Sequence, residues 1–339
     1  MTARFVLDLP PAPAAPVGPD GEPLAGRFCG RTAAIDWRAL APRLARPAWW
    51  RFFHHKRWQY VGIATADCFI GCAIVDLGWT NTAFAYLFDR RSGAVVGGLS
   101  REGLPGLTAT VGDVPAVGAG SRFRWLGERV AFEETAPDRF TVRIHGPDGF
   151  AVEAEFDGRA AAPWLFASGP VEDGLWHATH KSPALAVQGR ALAGGREYRL
   201  DGGHASLDHS NGLLPRDTRW RWASAHADGI GFNLQAGYFG DYENALWLDG
   251  RLIALGTAEF DYDPAATLAP WRVRTADGLL DLAFTPEGER REDRNLLVAA
   301  SRYVQPVGTF AGQVRGAADA APREVAGLLG VVEHHHSRW

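Results

Sequence analysis

Side chains capable of chemistry crowd into one stretch, residues 176–222, which reads WHATHKSPALAVQGRALAGGREYRLDGGHASLDHSNGLLPRDTRWRW. It carries His177, His180, Lys181, His204, Asp208, His209, Arg216, Asp217, Arg219, Trp220 and Trp222. Imidazoles and carboxyls of this kind exchange protons, and imidazoles also bind metals. Every one of these residues has a structural reading beside the chemical one. Asp208 between a strand and a turn could cap the turn, and His204 and His209 could be hydrogen-bonded turn residues. His177 and His180 fall in a loop-like stretch ending at Pro183, lining a cavity mouth or lying on the surface. Arg216 and Arg219 could pair with Asp208 or Asp217. Trp220 and Trp222 could be core or cavity wall, because a barrel interior and a ligand cavity use the same residues. Phe84 and Tyr86 carry the same double reading. The His-x-x-His spacing lies outside any helix and is a weak ligand pattern, so no metal is expected. The His334-His335-His336 run is followed by Ser337-Arg338-Trp339 and reads as native sequence. A phosphate loop, dinucleotide fingerprint, Gly-x-Ser-x-Gly elbow, His-Glu-x-x-His helix or Cys-x-x-Cys pair is not found in a usable context. No cofactor is therefore expected.

The elements that must hold these residues are strands. In residues 139–157, Phe140, Val142 and Ile144 alternate with Thr141, Arg143 and His145. After Pro147-Asp148-Gly149, Phe150, Val152, Ala154 and Phe156 alternate with mostly polar neighbours. That is a half-buried antiparallel hairpin. Phe69–Leu77 and the Phe84-Tyr86-Phe88 run, joined at 78–81, make a second hairpin that is apolar on both faces, as expected at the centre of a layered sheet. In the second half, Trp220 and Trp222 share a face opposite Arg219 and Arg221. Asp249-Gly250 and Asp277-Gly278 mark further turns. Short strands punctuated in this way spell a sandwich or barrel. One short helix is expected over Asp36–Ala45, capped by Asp36 and stopped by Pro47. Residues 1–25 read as an extended lead-in, 26–200 as one β domain and 201–339 as a second.

Composition narrows the partners. The 35 basic against 39 acidic residues give a net charge of −4, which leaves no basic face for nucleic acid. The excess of arginine over lysine reads as genomic bias. Cys29, Cys68 and Cys72 form neither a disulfide framework nor a zinc ribbon, and the last two read as buried thiols. The N-terminus lacks a continuous apolar segment and no stretch approaches a membrane span, so the default expectation is a cytoplasmic chain.

The runs HHKRWQYVGIAT, GCAIVDLGWTNTAFAYLFDR, LDHSNGLLPRDTRWRWASA and RYVQPVGTFAGQV resemble a bacterial family described as domain of unknown function 2804, from about Gly26 to Trp339. A wider likeness rests on Ser206-Leu207-Asp208-His209-Ser210, Trp220-Arg221-Trp222 and Asn244–Gly250. These are similar to motifs of carotenoid 1,2-hydratase and AttH-like proteins. Here Ser210 follows His209 directly, and Leu213-Leu214-Pro215-Arg216 is inserted before the tryptophans. The resemblance implies an all-β chain of two lipocalin-like (calycin-like) antiparallel barrels or half-barrels packed side by side. It further implies a cavity near the domain junction that takes a small apolar ligand, lipid or isoprenoid. Some members hydrate or cyclise such substrates with an acidic proton donor. Asp208 amid Leu207, Trp220 and Trp222 suits that role, because burial raises a carboxyl pKa and aromatic faces stabilise a cation. The expected catalytic set is Asp208, His209 and His180. Trp220, Trp222, Arg216, Arg219, His177, Lys181 and Tyr86 are expected to bind substrate. The alternatives are a non-catalytic binder of apolar ligands and a purely structural protein.

Overall fold

The computed structural model of the chain describes residues 9–295 and 300–339. About 60% of the chain is strand and 5% helix, so the all-β expectation holds. One sheet runs, by pairing, through Ala94–Gly103, Asn81–Asp89, Cys68–Asp76, His55–Ala64, His204–Leu213, Leu185–Ala193, Ala151–Asp157, Arg139–His145, Glu128–Ala136, Ser121–Trp125 and Ala109–Thr110. From His204–Leu213 it branches through Leu175–Lys181 and Leu165–Val171 to Gly26–Cys29. The second sheet runs Arg251–Ala254, Ala245–Leu248, Ile230–Gly237, Asp217–Ala227, Arg323–Arg338, Ala300–Val314, Leu280–Asn295, Trp271–Thr275 and Ala258–Asp261. One forms a nearly closed barrel and the other a half-barrel. The chain leaves the first sheet at Leu213 and enters the second at Asp217.

Alternation explains the packing. In the 139–157 hairpin, Phe140, Val142, Ile144, Val152, Ala154 and Phe156 all enter the first core. Asp148 and Gly149 make the turn with φ of 53° and 75°, a region open to Asp and Gly. The hairpin that is apolar on both faces has two cores to serve. Ile70, Cys72, Ile74, Ala83, Ala85 and Leu87 point into the first barrel, while Phe69, Ala73, Tyr86 and Phe88 point out against the second sheet. Trp222, Val307, Leu329 and Val331 meet them there. The two sheets therefore stand back to back, each with its own interior and a third apolar layer between them.

Several local expectations are corrected. Asp36–Ala45 makes only a 3-10 turn, Trp37–Ala39, with Asp36 accepting from the Arg38 N–H. The α-helix is Ala48–His54, and Pro47 stands at its N-cap rather than ending a helix before it. A proline there gives up no helical hydrogen bond. The lead-in is extended but packed, since Val17 is buried with Ile35, Trp37 and Leu40. Residues His177, His180, His204, Asp208 and His209 lie within strands, not in loops or turns.

Candidate functional site

Between the sheets lies a cavity of about 210 Å³. The first sheet contributes Trp58, Tyr60, Val75 and Phe84 to its wall, and the second Trp220, Trp222 and Tyr303. Trp222 and Tyr60 meet edge to face with ring centres 5.6 Å apart.

Strand register aims two charges into this space, and a turn adds a third. Lys181 pairs with Asp208 and Thr179 with Ser210, so these four side chains share one face. Glu243 arrives from the turn between Ile230–Gly237 and Ala245–Leu248 of the second sheet, its backbone carbonyl held by the Asn233 side-chain N–H at 2.9 Å. Lys181 Nζ lies 2.6 Å from Asp208 Oδ2 and 3.0 Å from Glu243 Oε2. The Ser210 and Thr179 hydroxyls lie 3.2 and 3.4 Å from Asp208 Oδ1. Asp208 is thus ringed by donors, the surroundings of an acceptor. Burial pushes the Glu243 carboxyl up, the Lys181 ammonium opposes, and the Asp208 charge adds to the rise. Burial works against the Lys181 charge, but the Asp208 and Glu243 carboxyls outweigh it and hold its value up. One cation among two carboxyls leaves a surplus negative charge unless one carboxyl keeps its proton, and Glu243 is the one that burial favours in that form.

A second polar group sits across the tryptophans. Glu333 Oε1 accepts from Trp220 Nε1 at 2.7 Å, and Oε2 from Gln305 Nε2 at 2.9 Å. The Tyr86 hydroxyl donates to Gln305 Oε1. At the rim, Arg290 lies over the rings of Phe84 and Tyr303, at 4.2 and 4.9 Å from their centres, and pairs with Glu292.

Of the residues singled out in the sequence, Lys181, Asp208, Trp220 and Trp222 line the cavity. Tyr86 and His177 stand one layer behind. Tyr86 donates to Gln305 and lies under the Arg290 guanidinium, and His177 stacks on Trp58 with its Nε2 3.4 Å from the Tyr238 hydroxyl. His180 and His209 point to the opposite face of their strands, because each neighbours a cavity-facing residue in a period-two element. There His180 accepts from the Thr32 N–H at 3.2 Å and His209 Nε2 meets the Gly112 carbonyl at 2.7 Å. Burial lowers the pKa of both. Arg216 and Arg219 are exposed, and Arg219 pairs with Asp217 at 3.1 Å. The cation beside Asp208 is therefore Lys181, not an arginine.

Sequence reading did not single out Glu243, Gln235, Tyr303, Glu333 or Arg290. Glu243 directly precedes the Asn244–Gly250 run that carries the hydratase likeness. A second signal lay in composition. Lys56 and Lys181 are the only two lysines in the sequence, and both are buried. Where arginine serves nearly every other cationic position, a compact ammonium kept at two buried sites marks them out.

The architecture is that of double-lipocalin-like proteins, with a cavity where the two units meet. The chain belongs to the family described as domain of unknown function DUF2804, whose model matches residues 19–339. Three solved structures share the fold. An AttH-like protein of Nitrosomonas europaea is 17% identical, with a TM-score of 0.56 over 87% of this chain and 98% of its own. CghA solved with Sch210972 is 14% identical, with a TM-score of 0.58 over 85% of this chain and 89% of its own. Kievitone hydratase of Nectria haematococca is 12% identical, with a TM-score of 0.51 over 96% of this chain and 98% of its own. No curated protein sequence matches the chain.

Proposed function

We propose that the protein is a hydratase- or cyclase-type enzyme that protonates an apolar, isoprenoid-like substrate in the inter-sheet cavity. Glu243 is the acid, and Lys181 and Asp208 hold it. The observation that carries this reading is a buried carboxyl, pushed toward its protonated form, on the wall of a cavity that also presents the rings of Trp58, Tyr60, Phe84, Trp220, Trp222 and Tyr303. Asp208 is assigned the acceptor's part because its oxygens already face Lys181, Ser210 and Thr179. The Glu243 O–H proton passes to one alkene carbon, leaving a cation on the other. The faces of Trp220 and Trp222 stabilise that cation. Water then attacks it, or a second double bond of the same molecule does, and the proton released restores Glu243. The names of kievitone hydratase and of the CghA complex with Sch210972 support a fold suited to organic ligands and, in the first case, to hydration.

The test compares wild type with Glu243→Gln, each purified from the native host, by mass spectrometry of the extracted ligand. A general acid predicts that the variant retains a precursor, lighter than the wild-type ligand by one water or equal in mass and less cyclised. The same molecule recovered from both proteins would instead make the chain a non-catalytic binder of apolar ligands.

A further inference from the structure

Gln235 is buried at 1% exposure on the cavity wall. Among the described residues, neither its side-chain oxygen nor its side-chain nitrogen has a hydrogen-bond partner. Its place is fixed by the backbone, because Gln235 sits directly across from Trp222 in the strand pair. Its N–H donates to Asn244 Oδ1 at 2.6 Å, beside Glu243. A buried amide with both ends unmet is costly, since each unmatched group forfeits its hydration with nothing in return. Glutamine has no packing advantage over methionine at such a position. The hydroxyl of Tyr303, on the same sheet and the same wall, is likewise buried with no partner among the described residues. By contrast, the neighbouring Asn233, Asn244 and Gln305 are all engaged. Gln235 and Tyr303 thus present unmet polarity to the cavity, and Gln235 does so with both ends of its amide.

We infer that Gln235 is a specificity-determining residue and that the ligand is not a hydrocarbon. It carries an adjacent hydrogen-bond donor and acceptor, as in an amide, lactam, carboxylic acid or enolised carbonyl, on an otherwise apolar frame. Such an edge donates to Gln235 Oε1 and accepts from Nε2 at once, placing the ligand against Trp222 next to Glu243. This deepens the proposed function by naming the substrate class, and it rests on the same cavity being the binding site.

The experiment uses three probes with one aromatic frame: naphthamide, which offers donor and acceptor; acetonaphthone, which offers an acceptor alone; and ethylnaphthalene, which offers neither. Binding to the full chain is measured calorimetrically for wild type and for Gln235→Met, an apolar side chain of matching length. Wild type is expected to favour naphthamide over ethylnaphthalene by about 10-fold or more, with acetonaphthone between, and Gln235→Met to level the series. Without ligand, Gln235→Met is expected to melt no lower than wild type. The inference is overturned if wild type does not discriminate or if the variant keeps the ranking. A ligand-free variant melting several degrees lower would overturn it too, since the amide would then serve the fold. Binding of none of the probes to wild type overturns it together with the cavity assignment. An intact naphthamide preference alongside identical ligands from wild type and Glu243→Gln would remove the catalytic reading alone.

Discussion

At the level of single residues, the site is a problem of charge. Lys181 and Glu243 are withdrawn from water and Asp208 is half-buried beside them, and their arrangement works only if the proton on Glu243 is retained. A carboxyl whose value is raised on folding binds its proton more tightly in the folded state. It therefore adds stability at low pH, and that contribution disappears as pH climbs from the ordinary 4.5 through the raised folded value. Glu243→Gln should remove this loss, so urea unfolding across pH 4–8 would show a flatter profile for the variant; parallel profiles would contradict the buried proton. Lys181→Met should be far more damaging, about 3–5 kcal/mol, because it strands two carboxyls without their cation. Chemical denaturation measures that directly, and a loss no larger than that of Glu243→Gln would mean the triad is not held by its lysine. Asp208 and Lys181 were legible in the sequence because they lie in a dense polar stretch. Glu243 and Gln235 were not, because the partners that give them meaning come from another sheet.

At the level of elements, legibility followed periodicity. The 139–157 hairpin and the Trp220–Trp222 face could be read because alternation is a local property of a strand. The helix Ala48–His54 could not, since its first capping residue is the proline that also serves as a stop signal. The face that a strand turns to a second sheet is equally invisible until the sheets meet, as Gly71 illustrates. A Cβ there would stand 2.5 Å from a ring carbon of Tyr86, whose hydroxyl binds Gln305 across the interface. Gly71→Ala should push that ring aside and cost about 1–3 kcal/mol, and thermal unfolding would detect it; an unchanged melt would show that the ring gives way freely. Lys56 ties two elements together, donating to the carbonyl of Phe53 in the helix at 2.7 Å and to that of Leu77 at 2.8 Å. Burial lowers its pKa to about 7 from the ordinary 10.5. The unfolded chain thus binds more protons between those values, and stability from this group rises with pH across that window. Lys56→Met should lose that rise, so the gap in unfolding free energy between wild type and variant should widen from pH 7 to 10. A constant gap would place the ammonium in contact with water.

At the level of the whole molecule, the site exists only because two sheets are joined. Lys181 and Asp208 come from one and Glu243 from a turn of the other, and both sheets line the cavity wall. The join is also apolar and wide. Phe69, Tyr86 and Phe88 of the first sheet are covered by Trp222, Val307, Leu329 and Val331 of the second. The paired carboxylate and guanidinium of Glu287 and Arg90 close one side at 2.6 and 2.8 Å. Separating the sheets would expose this layer and strand the buried charges, two penalties that neither half offsets alone. The sheets should therefore unfold together rather than as independent domains. Native-state hydrogen exchange followed by mass spectrometry distinguishes the cases. The slowest amides of Cys68–Asp76, deep in the first sheet, and of Ala300–Val314, central in the second, should report the same opening free energy and shift equally when denaturant is added. The back-to-back layer would then be what sets the stability of the fold and the geometry of the acid at once. Different opening energies for the two strands would show that the layer is too weak to couple them. Opening of the join, rather than global unfolding, would then be the motion that admits ligand to the cavity.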